Sequence, residues 1–357
     1  QHRLILLSTH HALCDGWSIG VIVSELGKLY TADIEGTSCQ LPEVVQFREY
    51  VAARELMHDA PEMMEHARYW QDKFGALPPQ LDLPTDRLRP PVKTYRAHRL
   101  AHRLDADLCR ELHRVARAQN SSFFMLNLAA YLLLMHRISD QDELVVGIPV
   151  AGQIAEMGRA LVGHCANLLP IHSELAGCER FSDFLRRTKE VLIDAFDHRD
   201  YSIHRLVTML PIPRDASRNP LVSAVFNLDH GAPPEMAGLQ SNYWHGQPIE
   251  FALSETSLNA VEVDSELLLD WNYNQDLFDV ETVECWHACY KALLETVVAT
   301  PDCRLADMSI APPAEQRQIL HSWNDTRASF QDDVCLHQLF DLQVAKTPQA
   351  LAVTCAD

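Results

Sequence analysis

The sequence predicts a mixed α/β fold, and three observations carry that prediction. Short apolar runs such as "ELVVGIPVAG" and "PLVSAVFNLD" read as buried strands, while longer segments repeat their apolar residues at helical spacing. The two kinds are interleaved along the chain, which implies α/β or α+β layers rather than a bundle or a sandwich. At 357 residues, 47% hydrophobic and 22% charged, the chain can form two or three compact units with a sizeable core. No internal repeat is visible.

The elements follow in order. Residues 3 to 8 look like a buried strand that ends at a His-His turn. "GWSIGVIVSELGKLYTA" reads as a helix, with Ile19, Ile22, Val23, Leu26 and Leu29 on one stripe and Ser18 as N-cap. A second amphipathic region from about Pro42 to Phe74 breaks near "HDAPEMM", where Pro61 can open a new helix. The stretch from 75 to 95 carries five prolines, Pro78, Pro79, Pro84, Pro90 and Pro91, and is a stiff extended crossing. Beyond it, "AHRLDADLCRELHRVARAQNSS" reads as strand then helix, and "SSFFMLNLAAYLLLMHRISDQ" as a buried helix. Its stripe Phe123, Leu126, Ala130 and Leu133 is core, and the run 123 to 135 is too short to span a bilayer. "LVGHCANLLPIHSEL" reads as a strand pair or strand and loop, "RFSDFLRRTKEVLIDAFDHRDYSIHRLVTML" as two helices, and "IEFALSETSLNAVEVDSELLLDWNYN" as at least two strands. The helix "VETVECWHACYKALLETVVATP" stops before Pro301. Residues 314 to 357 form a separate piece: a short helix and turn, a further helix, and a strand at the end.

The formal charge of −19 argues against nucleic acid and anionic membrane surfaces as partners. The ten cysteines are scattered without a CxxC pair, as expected of free thiols in a reducing cytoplasm. Cys285 and Cys289 share a helix face around His287, but no second ligand pair follows. His98 and His102 are four apart without the glutamate of HExxH, and extended chain would hold them roughly 13 Å apart. The sequence therefore predicts no metal site.

The chemistry concentrates in "STHHALCDGWS", residues 8 to 18. This stretch resembles the HHxxxDG motif of condensation domains from nonribosomal peptide synthetases. Further stretches are similar to that family in its order: "YWQDKF", "LPTDRLRPP", "VVGIPVAGQ" with "GHCANLLP", "HRDYSIHRLV", "RNPLVSAVFN" and "YNQDLFD". "WNDT" and "CLHQLFDLQVAKTPQALAV" resemble the linker and opening of an adenylation domain. The resemblance implies two chloramphenicol-acetyltransferase-like lobes around a tunnel. On that reading, residues 1–90 end an incomplete N-terminal lobe, 91–313 form the C-terminal lobe, and 314–357 lead into adenylation. Cys165 and Ala166 depart from the phenylalanine-valine pair of the family's GxFVN, and Ser202 stands where proline is common. These departures suggest a subtype with an unusual donor, such as a polyketide-type acyl chain.

The activity implied is amide bond formation between a donor acyl or peptidyl thioester and an acceptor aminoacyl thioester. Both would ride on the 4′-phosphopantetheine of partner carrier domains, upstream and downstream, with no cofactor bound by this domain itself. The resemblance makes His11 the catalytic imidazole, facing the attacking amine. His10 should face away, because neighbours in extended chain alternate sides. Gly16 allows close approach and offers a backbone N–H to the oxyanion. Asp15 is structural, turned from substrate and paired with an arginine, for which Arg218 is the candidate. Trp17 and Asn167 are possible tunnel-lining residues, although Asn167 is read first as satisfying backbone groups at a strand crossing, with the tunnel wall as its alternative. An α-amine titrates at about 8, so His11 need not act as a strict base and can work by positioning.

Three other functions compete. An epimerisation domain shares HHxxxDG but abstracts an α-proton. A stand-alone CoA-dependent acyltransferase shares the HxxxD core. A degenerate domain would only dock carrier proteins. The adenylation-like tail after Asn324 counts against the first two, and intact His11, Asp15 and Gly16 count against the third.

Overall fold

The structure is a computed structural model that describes residues 4–58, 60–75, 77–153, 160–231, 233–242, 245–328 and 334–355. The chain divides into two units, Gln1–Pro312 and Pro313–Asp357. The first is built on one six-stranded mixed sheet in the order β1-β6-β5-β4-β2-β3, where β1 is Ala97–Leu104, β2 Glu143–Val150, β3 Asn167–Glu174, β4 Ala224–His230, β5 Thr256–Val263 and β6 Glu266–Asn274. β4 runs parallel to β2 and β5, and the remaining pairs are antiparallel. β2 is apolar along most of its length and buried at six of eight positions, as a strand covered on both faces requires.

Ten helices are present among the described residues, α1 (Gly16–Glu35), α2 (Phe47–His58), α3 (Pro61–Phe74), α4 (Ala106–Ala118), α5 (Phe123–Ser139), α6 (Phe181–Asp197), α7 (Ile203–Met209), α8 (Val280–Ala299), α9 (Pro313–Arg317) and α10 (Leu336–Lys346). α5 packs on the sheet and against α4, α6 and α8. Its starting cap is Ser122, whose hydroxyl accepts the Met125 N–H at 3.1 Å. Tyr131, Phe226, Trp271 and Tyr290 join in one aromatic core between α5, α8 and the sheet, all fully buried. The break between α2 and α3 falls where the sequence places it, with Pro61 in the first turn of α3.

The proline-rich crossing has no regular structure and is anchored at intervals. Leu81 and Leu83 are buried, Arg89 grips Glu255 with two hydrogen bonds of 2.7 and 3.0 Å, and Asp86 caps the start of α8 by accepting from the Asp279 N–H at 2.7 Å.

Three sequence expectations differ. Residues 4–10 are not a strand; Leu4, Ile5, Leu6 and Leu7 are exposed at 64, 68, 84 and 44%. A strand needs a neighbour for its N–H and C=O groups, and none of the six strands pairs with this run. The tail residues 351–355 likewise lie outside any strand and are exposed. The N-cap of α1 is Asp15, not Ser18: the Asp15 carboxylate accepts the Ser18 N–H at 2.9 Å, which places Ser18 at the third helical position, fully buried.

Candidate active site

The motif turn and the start of α1 bring the candidate groups together. Backbone from His10 closes on Leu13 N–H at 2.9 Å, so His10 and His11 occupy a tight turn that feeds α1. His10 Nδ1 accepts the Ala12 N–H at 3.1 Å, a local bond that stiffens the turn. His11 is exposed and meets the ring of His164 edge-on, centroids 5.0 Å apart at 84°. Gly16 opens α1, where helix N–H groups have no intrahelical acceptor. A Cβ at Gly16 would meet no chain atom within 4 Å, so the space beside it is open. Trp17 is 44% exposed on the same first turn.

Asp15 is where tertiary structure enters. One carboxylate oxygen accepts from Ser18 N–H at 2.9 Å and Ser18 Oγ at 2.7 Å. The other accepts from Cys165 N–H at 3.0 Å and the Gln153 amide at 3.3 Å. Burial pushes this carboxyl up, but the bonds from Ser18, Cys165 and Gln153 together outweigh it and hold the group below the usual carboxylate range. Asp15 therefore stays ionised, buried and fully bonded. Ser18 adds a second tie: its Oγ accepts the Gly163 N–H at 3.0 Å and shares its one proton between Asp15 and the Gly163 carbonyl at 2.9 Å. The turn 163–165 is thus clamped to the first turn of α1.

α2 completes the support. A Cβ on Gly163 would lie 2.1 Å from the Phe47 ring, and one on Gly152 would lie 1.8 Å from the Cys165 carbonyl, so glycine is required at both for this close approach. Tyr50 donates to the Gly152 carbonyl at 3.0 Å and packs with Leu161 and Cys165. Burial raises the Tyr50 phenol to about 12 and the Cys165 thiol to about 11, the latter helped by the Asp15 charge; both remain protonated and inert near neutrality.

The expected Asp15–Arg218 pair does not form. Arg218 binds Asp82 at 2.6 Å and lies 4.0 Å from Asp215, so it braces the proline-rich crossing. Asp15 needs no guanidinium, because neutral N–H and O–H donors fill both its oxygens. Asn167 is a structural residue: its amide donates to the Arg199 and Tyr201 carbonyls, both at 2.8 Å, and accepts the Ile203 N–H at 3.1 Å. With both N–H groups and the oxygen engaged, it fixes the 199–203 loop. Asp200 holds the same loop to α2 through Arg54 at 2.7 Å. Ser18, Gln153, Gly163 and His164 were not singled out as site residues by motif spacing. Their sequence signal is that they lie in the quoted motif stretches: Ser18 in "STHHALCDGWS", Gln153 in "VVGIPVAGQ", and Gly163 and His164 in "GHCANLLP".

The histidines and cysteines considered for metal lie on β1 and α8. His98 stacks on Tyr273, and His102 stacks on His287 at 3.7 Å. Cys285 and Cys289 place their sulfurs 3.9 Å apart on α8. All ten cysteines are free thiols.

A family model described as Condensation domain matches residues 1–320. The chain is 32% identical over 356 residues to tyrocidine synthase 3 of Brevibacillus parabrevis, covering 99% of this chain and 5% of that protein. It is 31% identical to surfactin synthase subunit 1 of Bacillus subtilis (strain 168), over 99% of this chain and 10% of the relative. Among solved structures it is similar to a holo four-domain nonribosomal peptide synthetase bound to AMP and glycine, with a TM-score of 0.79, 22% identity, and coverage of 94% of this chain and 26% of that one.

Proposed function

The chain belongs to the condensation-domain family of nonribosomal peptide synthetases, with the chloramphenicol-acetyltransferase-like fold of its structural neighbours, and from that premise we propose that it forms amide bonds between carrier-bound thioesters. The carrying observation is the division of labour in the motif. Asp15 is saturated by structural hydrogen bonds, while His11 in the motif turn and Gly16 at the N–H end of α1 are both exposed.

The acceptor's α-amine attacks the donor thioester carbonyl. His11 orients the amine and takes up the proton it sheds as the C–N bond forms. The Gly16 N–H faces the developing oxyanion. Collapse of the tetrahedral intermediate breaks the C–S bond, and the proton returns to the departing thiolate of phosphopantetheine. Donor and acceptor arrive on 4′-phosphopantetheine arms of upstream and downstream carrier domains, with an adenylation domain adjacent. We assign residues 1–90 to the incomplete N-terminal lobe and 91–313 to the C-terminal lobe, and the unit boundary at Pro312 and Pro313 supports a linker that follows them. The free thiols support work in a reducing cytoplasm.

The test mixes the full synthetase polypeptide with a donor-loaded and an acceptor-loaded carrier protein and follows both carriers by intact mass spectrometry. Gain of the donor mass by the acceptor, strongly slowed in His11→Ala, sustains the proposal. Solvent deuterium entering the α-position without transfer makes the domain an epimerase. Carrier binding with neither reaction makes it a docking domain.

A further inference from the structure

We infer that His164 is a positioning residue for His11, holding its imidazole at the angle the reacting amine requires; the inference rests on the condensation reading above. Three observations support it. First, the residues on both sides of His164 are pinned to the first turn of the motif helix. Gly163 exchanges hydrogen bonds of 3.0 and 2.9 Å with Ser18 Oγ, and the Cys165 N–H reaches Asp15 at 3.0 Å. Second, that double clamp leaves the His164 ring edge-to-face with His11, at 5.0 Å and 84°, a preferred geometry for aromatic pairs. Third, His11 itself is exposed, so the surrounding chain leaves its ring little restrained apart from this contact.

An exposed imidazole on a turn samples several χ1 and χ2 settings. A neighbouring ring set edge-to-face with it removes some of them before substrate arrives. Small displacements of a catalytic group can cost as much as about 100-fold in rate. The same contact explains what Asp15 and Ser18 do for the reaction: they position the 163–165 turn, and through it the catalytic ring.

The test compares His164→Ala and His164→Phe with the wild-type synthetase in the carrier-to-carrier transfer assay. His164→Ala lowers kcat about tenfold with KM for the acceptor carrier changed less than about twofold, as loss of alignment predicts. His164→Phe keeps a ring at the position, restores kcat to within about threefold and leaves the pH–rate profile unchanged, because the role is steric. Wild-type kcat in His164→Ala, or a His164→Phe variant as slow as His164→Ala, overturns the inference. A second readout needs no turnover: the His11 ring-proton NMR resonances, identified by their loss in His11→Ala. They shift in His164→Ala if the contact exists and stay put if it does not. A wild-type protein that transfers nothing removes the condensation reading, and the ring resonances then decide the His11–His164 contact by themselves.

Discussion

Helices α1 and α5 are both long and rich in apolar residues, yet they are held in opposite ways. α5 buries twelve of its 17 residues against the sheet and three other helices. α1 buries only Ser18 and Gly27 of its 20, and leaves Leu26, Leu29 and Ile34 exposed at 41, 47 and 59%. α1 is held at defined points instead: Asp15 and Ser18 at its start, Gly27 against the Glu235 carbonyl, where a Cβ would lie 2.8 Å away, and the Thr31 hydroxyl accepting the Ala237 N–H at 3.0 Å. The comparison teaches that the core helix is located by area, which tolerates small shifts. The site helix is located by directional bonds, which do not. A turn proposed to align reacting groups gains from the second kind.

The comparison can be broken or sharpened by substitution. The largest effect is on chemistry. His11→Ala slows amide formation by about 10²- to 10⁴-fold in the transfer assay, while its exposed position keeps the unfolding midpoint unchanged. Leu133→Ala, at the centre of α5, costs about 2–5 kcal/mol in urea unfolding with little specific effect on kcat in the protein that remains folded.

Acid lability follows next and belongs to the core. Burial pushes His136 down to about 4, although its bond to the Gln141 carbonyl opposes this. Nδ1 donates to that carbonyl, so Nε2 accepts from Ser173 Oγ and the folded ring is neutral. Unfolded chain takes up a proton near 6.5, so its stabilising contribution is complete above that pH and is lost as pH falls toward about 4. A loss on the order of 3 kcal/mol between pH 7 and 4 is expected from this group, and His136→Gln flattens that part of the profile measured by urea unfolding.

Ser18→Ala removes the hub between α1 and the 163–165 turn and strands the Gly163 N–H, costing about 1–3 kcal/mol. It sharpens the comparison because it lowers kcat as well, in the direction of His164→Ala, which Leu133→Ala does not. Leu29→Ala on the exposed stripe of α1 changes stability by less than about 0.5 kcal/mol. A large loss there would show that α1 is covered by apolar packing in solution and would break the contrast.

Much of the fold was legible because its signals are local. The periodicity of α4, α5 and α8, the apolar run of β2, Pro61 at the start of α3 and the prolines of the crossing act within a few residues of themselves. The motif was legible for the same reason, since His10, His11, Asp15 and Gly16 lie within one turn and its helix. The "LILL" run misled because an apolar run announces a wish for burial but not the presence of a neighbour. The partners of Asp15 and Arg218 misled differently: both had suitable chemistry, and nothing local ranks one distant donor above another.

The sequence by itself determined the element types and the order of the family's motifs. Only the tertiary structure decided what holds the motif turn and the start of α1 in place. Gln153, Gly163 and Cys165 lie 138 to 150 residues from the Asp15 and Ser18 side chains they bond. Such bonds are specified when the sheet and α2 bring two remote turns within 3 Å, and short-range propensity carries no information about that meeting.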